Sequence, residues 1–339
     1  MRPRNHAFDL LCGLCILRMI MLHVISTCGF RNEFWFAKLM AWSFFFMSFF
    51  FFKAGYFNKG IQGKTWPYLK DRVKRLLVPY FVWGAIGSIV FFGFLLLFPD
   101  CFQKYYRMLK WEHLWKESHF WGNPPVWFLF SFFMSYVMVH FINKVKYLKW
   151  AVVLFPFISY YLWTVHNPLW MSLNNVFAGI FFFYVGRSWR WLQTRVPTKW
   201  LIVVSVLLIA EFVVGNKLWH GEYDMSKNLF VQLSWGAGIN TVCALVGLSG
   251  LLLALPMRRV PAIGYIGEHS MVYFVAHYPL IYLYAFTHIV FHHSVAYHWE
   301  DFILMMAFVL ITCTWLVPYV EKVPWLSGRY CKFSLPLQP

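Results

Sequence analysis

The sequence predicts an all-α fold, a polytopic membrane bundle of about ten transmembrane helices, and three observations carry that prediction. Of 339 residues, 60% are hydrophobic and only 13% charged, against roughly 45–50% and about 25% in soluble domains. The 38 Phe, 19 Trp and 19 Tyr supply 76 rings, too many for one soluble core and suited to a chain whose solvent is lipid with aromatic interfaces. The apolar residues also fall in repeated windows of about 20, the length a helix needs to cross hydrocarbon.

The first window, 8–30, follows MRPRNH, a basic start without a small-residue cleavage site, and reads as an uncleaved first span. The next are 34–57, then 77–99 with Pro79 near its start, 124–143, 150–165, 168–186, 200–215, 237–256, 263–291 and 302–320. They predict one integral membrane domain over 1–339, with its spans inside 8–320 and no separate soluble domain. Two connecting segments, 100–123 and 216–236, are long enough to form caps or a lid. The first is rich in Trp111, His113, Trp115, His119 and Trp121.

Ten crossings put both termini on one side, so the Lys and Arg of the connections can be compared across the membrane. Twenty lie on the N-terminal side: Arg2, Arg4, Lys59, Lys64, Lys70, Arg72, Lys74, Arg75, Lys144, Lys146, Lys149, Arg187, Arg190, Arg195, Lys199, Arg258, Arg259, Lys322, Arg329 and Lys332. Eight lie opposite: Arg31, Lys38, Lys104, Arg107, Lys110, Lys116, Lys217 and Lys227. Both termini are therefore expected in the cytoplasm, and the net charge of +17 is explained by topology rather than by nucleic acid. The seven cysteines sit mostly inside apolar runs, with the one C-x-x-C pair, Cys12 and Cys15, within the first span and no Cys/His spacing for zinc, so neither a disulfide framework nor a metal is expected.

Ionisable groups within spans are expensive and mark functional candidates. Those here are Arg18, His23, Lys53, His140, Glu211, His277 and His288, with Asp9 at the start of the first span. His23 lies about 15 residues into its span, roughly 22 Å from the start at about 1.5 Å per residue. It is suited to general-base work near neutral pH, or to packing. Arg18 keeps its proton and needs a carboxylate, phosphate or wet cavity, and an ion pair with Glu211 is one answer. Lys53, near the end of its span, can snorkel or serve a ligand.

The cluster Lys64, Lys70, Arg72, Lys74 and Arg75 suits anionic lipid or a phosphate-rich molecule such as coenzyme A. Pro279 interrupts its helix, and the freed backbone groups can line a cavity beside His277. Asn174 can bond a sugar or glue helices, whereas His140 and His288 read as packing residues. His292, His293 and His298 read as an external, solvated cluster with spacing too loose for a metal.

Five stretches taken in order, FDLLCGLCILRMIMLH, FFFFKAGYF, RVKRLLVPYF, PPVWFLFSFFMSYVM and IGEHSMVYFVAHYPLI, resemble the acyltransferase 3 family of integral membrane O-acyltransferases over residues 7–320. The resemblance implies transfer of an acyl group, acetyl being the expected one, from cytoplasmic acyl-CoA to a hydroxyl of a cell-surface or lipid-linked glycan. It implies polysaccharide modification at a membrane, expected to be a bacterial inner membrane. It also implies His23 as the base, Arg72 and Arg75 on the CoA phosphates, and a late-span motif mapping onto Ser270, Tyr273, His277 and Pro279. Trp127, in the fourth stretch, joins Asn174 and Glu211 as an expected cavity residue.

One departure is informative: where the family commonly carries a cation eleven residues before the histidine, this chain has Cys12. Eleven residues return a helix to within about 20° of the same face, about 16 Å along the axis, so that cation would have faced the same cavity as His23. Arg18 and Lys53 are the two candidates to replace it, and Lys53, near the expected depth of Cys12 on an adjacent antiparallel span, is favoured. Arg18 is then expected to stabilise the oxyanion, and direct attack and an acyl-histidine relay are equally compatible with the sequence. The expected partners are acyl-CoA, the saccharide acceptor and the bilayer, without nucleic acid, and a homo-oligomer is compatible. A transporter or flippase of a glycan or lipid-linked precursor is the main alternative, and a membrane scaffold a second.

Overall fold

Asn5 opens the first helix by accepting hydrogen bonds from the backbone N–H of Ala7 and Phe8 at 3.1 and 3.2 Å, which satisfies two of the donors a helix start leaves free. In the computed structural model, which describes residues 5–58, 64–106, 109–218, 222–231, 234–254 and 260–330, this helix α1 runs His6–Cys28 and stops at Gly29, whose φ of 79° is left-handed. Of the charges counted above, Arg2, Arg4, Lys59, Arg107, Arg258, Arg259 and Lys332 lie outside the described residues.

The second window is two helices, α2 (Phe34–Trp42) and α3 (Phe46–Phe57), with a break at Ser43. The Ser43 hydroxyl donates back to the Leu39 carbonyl, a bond that bends helices. The third begins earlier than hydropathy suggests: α4 (Thr65–Arg72) continues through one π turn, Val73–Leu77, into α5 (Val78–Leu97). Pro79 has no N–H to offer the Arg75 carbonyl, so the ladder there must take another spacing. After a 3₁₀ turn at Pro124–Val126 come α6 (Trp127–Lys144) and α7 (Phe155–Thr164). Then follow α8 (Asn174–Gln193), α9 (Thr198–Leu218), α10 (Ser234–Ala254), α11 (Pro261–Glu268), α12 (Ser270–His292) and α13 (Trp299–Val320). A small hairpin, β1 (Glu222–Asp224) with antiparallel β2 (Leu229–Val231), joins α9 to α10.

Among the described residues, seven helical segments are long and apolar enough to cross a bilayer: His6–Cys28, Phe34–Phe57, Thr65–Leu97, Pro124–Lys144, Thr198–Leu218, Ser270–His292 and Trp299–Val320. The other three expected windows are occupied by α7, of ten residues, by α8, which carries Arg187 and Arg190, and by α10. The expected span at 168–186 starts only at Asn174, because His166, Asn167, Met171 and Ser172 adopt left-handed backbone and form a loop.

Backbone proximity sets the packing around α1. A Cβ on Gly13 would lie 2.0 Å from the Ile263 carbonyl oxygen, and one on Gly267 would lie 1.8 Å from that of Asp9, so α1 and α11 cross with no room for a side chain. Gly55 and Gly186 do the same for α3 and α8, against the carbonyls of Phe183 and Phe52. α9 packs mainly on α10 and turns Val203, Val206 and Leu207 outward, the apolar exterior a lipid-facing helix needs.

Candidate active site

Two cavities lie at opposite ends of the bundle and share one wall residue, Phe274 of α12. The cavity near the N-terminal face, about 680 Å³, is lined by Lys53, Arg72, Tyr68, Tyr136 and Ser270. The Lys53 ammonium stands 2.8 Å from the Cys12 sulfur, so α3 presents its cation at the level of α1 where Cys12 faces it. The Arg72 guanidinium lies over the ring of Tyr136 at 4.2 Å and that of Tyr68 at 5.0 Å. Stacking of this kind holds a guanidinium plane while leaving its edge for an anion.

Arg75 does not join them. Three residues from Arg72 it would share a regular helix face, but the π turn rotates it away. Its guanidinium bonds Asp71 at 2.7 Å and the Tyr330 carbonyl at 3.4 Å, outside the cavity wall.

The opposite cavity, about 430 Å³, is lined by Arg18, His23, Arg31, Trp127, Asp224 and Lys227. Arg18 reaches across to the break between α2 and α3, donating to the Ser43 hydroxyl at 3.1 Å and the Met40 carbonyl at 3.4 Å, with its guanidinium 3.9 Å over Phe46. The helix break supplies the acceptors this intramembrane cation needs. The expected partner Glu211 is elsewhere. It sits beside Cys243 of α10, and one of its carboxyl oxygens is buried with no hydrogen-bond partner among the described residues. Because α9 packs on the outside of α10, Glu211 lines neither of these cavities and neither pairs with Arg18 nor orients His23.

His23 meets two rings of α12: His277 at 5.2 Å and Tyr278 at 4.9 Å between centroids. His277 is fully buried, and its Nδ1 contacts the carbonyls of Phe274 at 2.7 Å and Tyr273 at 3.2 Å. Carbonyls only accept, so Nδ1 carries the proton and Nε2, which has no hydrogen-bond partner among the described residues, keeps its lone pair. Pro279 does free a backbone group, but the Val275 carbonyl is taken by the Asn123 side chain at 2.9 Å, joining α12 to the loop before α6 rather than lining a cavity.

The late-span motif is therefore divided between jobs. Ser270 lines the first cavity, His277 stands beside His23, and Tyr273 bonds the Thr314 hydroxyl at 2.6 Å to hold α12 against α13. Asn174 bonds Asn167 and Leu169 and ties its own loop to the start of α8. His140 stacks on Tyr68 at 4.8 Å and contacts the Thr65 hydroxyl, a packing role. Sequence reasoning passed over Tyr68, although its place four residues before Arg72 puts both on one helix face. It also passed over Tyr136 and Tyr278, which carry no comparable local signal.

A lysine and an arginine at one end of the bundle, and a histidine with an arginine at the other, form two anion-capable chambers separated by apolar rings. The sequence profile described as an acyltransferase domain matches residues 5–319, nearly the whole chain. Neither a search of curated proteins nor one of solved structures gives a match. The profile match and the apolar helices together make this chain an integral membrane protein belonging to the acyltransferase 3 family.

Proposed function

We propose that the protein moves an acyl group, acetyl in the simplest case, from cytoplasmic acyl-CoA to a hydroxyl of a cell-surface or lipid-linked glycan. One observation carries this reading: the cavity with Lys53 and Arg72 and the cavity with His23 and Arg18 stand end to end and share Phe274. The excess of Lys and Arg on the N-terminal face supports placing the first cavity toward the cytoplasm. There Arg72 and Lys53 suit the phosphates of the donor, and the Phe- and Tyr-rich wall suits its uncharged arm, extended toward Phe274.

At the far end His23 accepts the proton of the acceptor hydroxyl as its oxygen attacks the thioester carbonyl. Arg18 faces the oxyanion, an interaction worth several kcal/mol where water is excluded. When the intermediate collapses, the carbon–sulfur bond breaks and the proton held on His23 is available to the departing thiolate. His277, with its Nδ1–H held by α12 carbonyls, supports the His23 ring from behind.

The test is transfer of labelled acetyl from acetyl-CoA by the purified protein in nanodiscs. His23→Ala is expected to lower transfer by about 10²–10⁴-fold with acetyl-CoA binding retained. Full CoA-dependent transfer by folded His23→Ala would overturn the reading.

A further inference from the structure

A third cavity, of about 500 Å³, adjoins the His23 cavity, and the two share the wall residues Ser226 and Lys227. This ridge is the turn between β1 and β2, and asparagine side chains hold it in place. Asn228, at left-handed φ of 44°, donates to the Ser159 carbonyl at 2.9 Å and to Asn167 at 2.7 Å, and accepts from the Tyr223 hydroxyl at 3.1 Å. Asn175 and Asn167 hold the carbonyls of Ser226 and Lys227 at 3.3 and 2.9 Å. The far wall, carrying Trp170, is fixed by bonds from Met171 and Ser172 to the carbonyls of Trp115 and Lys116.

The charge along this groove is unbalanced. Arg18, Arg31, Lys227 and Lys116 line it against two carboxylates, Asp224 and Glu117. Both carboxylates are already engaged: Asp224 by the backbone N–H and hydroxyl of Ser226, and Glu117 by His119 and His113, a hydrogen bond from His119 pulling its carboxyl down to about 2. Lys116 pairs with Glu112 at 2.8 Å. Arg31 and Lys227 make no side-chain hydrogen bond or ion pair among the described residues, and both are exposed at the groove. Trp170 is 66% exposed in the same wall, a broad apolar ring face of the kind that packs on the C–H face of a sugar.

We propose that these two cavities form one groove for an anionic saccharide chain, with the sugar to be acylated over His23 and a carboxylate- or phosphate-bearing neighbour against Lys227 and Arg31. The next unit then lies along Trp170 in the third cavity. The place of the reacting sugar rests on the acyl-transfer reading, whereas the charge preference is carried by the groove alone.

The experiment is equilibrium binding of fluorescent oligosaccharides to the full-length protein in zwitterionic nanodiscs, read by anisotropy without any acyl donor. Three probes are used: a neutral oligoglucan, an oligouronate and a phosphodiester-linked oligosaccharide. At low salt at least one anionic probe is expected to bind about tenfold tighter than the neutral one, with the advantage shrinking as salt screens it. Which of the two binds more tightly separates carboxylate from phosphate as the source of charge. Lys227→Gln, at a side chain with no hydrogen bond or ion pair among the described residues, is expected to weaken that binding about fivefold. Lys199→Gln, at the opposite end of the bundle, leaves it unchanged. Equal binding of the neutral probe, binding of none of the three, or indifference to Lys227→Gln would each overturn the proposal. The His23 assay reads acyl transfer separately, so the two readings fail independently.

Discussion

Lys53 makes sense only as half of a pair with Cys12. An ammonium 2.8 Å from a buried thiol on the neighbouring helix places positive charge at the wall of the larger cavity without α1 carrying it. Lys53→Met is therefore expected to weaken acetyl-CoA binding about tenfold, the scale of a charge-assisted contact to phosphate. The double variant Cys12→Lys, Lys53→Ser should recover part of that loss, because it moves the same charge across a 2.8 Å contact, and calorimetric titration with acetyl-CoA reads both. Lys53 was legible in the sequence because it interrupts a run of phenylalanines at an expected depth. Glu211 was not, since an isolated carboxylate in an apolar helix says nothing about which neighbour that helix chooses. The place of Arg75 was hidden differently: face arithmetic assumes a regular helix, and the π turn at Val73–Leu77 adds a residue that the arithmetic cannot see.

At the scale of elements, the glycines divide into those that touch a neighbouring backbone and those that do not. A side chain at Gly55 would meet the Phe183 carbonyl at 1.7 Å, and one at Gly13 would meet that of Ile263 at 2.0 Å, whereas Gly93 in α5 has nothing within 4 Å. Gly55→Val and Gly13→Val should fail to yield a monodisperse folded protein in detergent. Gly93→Ala should be tolerated and raise stability by up to about 1 kcal/mol, the helix-propensity difference, seen as a higher midpoint in a tryptophan-fluorescence melt. Hydropathy made the seven long apolar segments legible, because lipid requires length and apolarity of any span. It missed the breaks at Ser43 and His269 and the early start of α4 at Thr65. A bend depends on hydrogen-bond partners from elsewhere in the bundle, and a charged helical stretch such as TWPYLKDR looks like a connection when only hydropathy is scored.

For the whole molecule, the wall residue common to the two chambers is one buried ring. Phe274 lines both cavities and packs on Phe128 at 5.4 Å and on His277 at 6.3 Å. Phe274→Ala should open a wet path from face to face, so that acetyl-CoA is hydrolysed severalfold faster without an acceptor, measured as free thiol released against acetyl transferred. That Lys and Arg concentrate in one set of connecting segments is readable from the sequence. That the chambers meet at this ring is not, since it depends on how α1, α6 and α12 pack together.

The glycine crossings bear on motion as well. Carriers that expose a site to alternate sides rock one group of helices against another, and such rocking needs surfaces that can slide. Here α1 is seated on α11, and α3 on α8, at backbone distance. Each glycine is shut in by a carbonyl of its neighbour, as a key is by the wards of a lock. Helix pairs so fastened move as units, so under the proposed reading it falls to the donor's flexible arm to cover the length between the chambers.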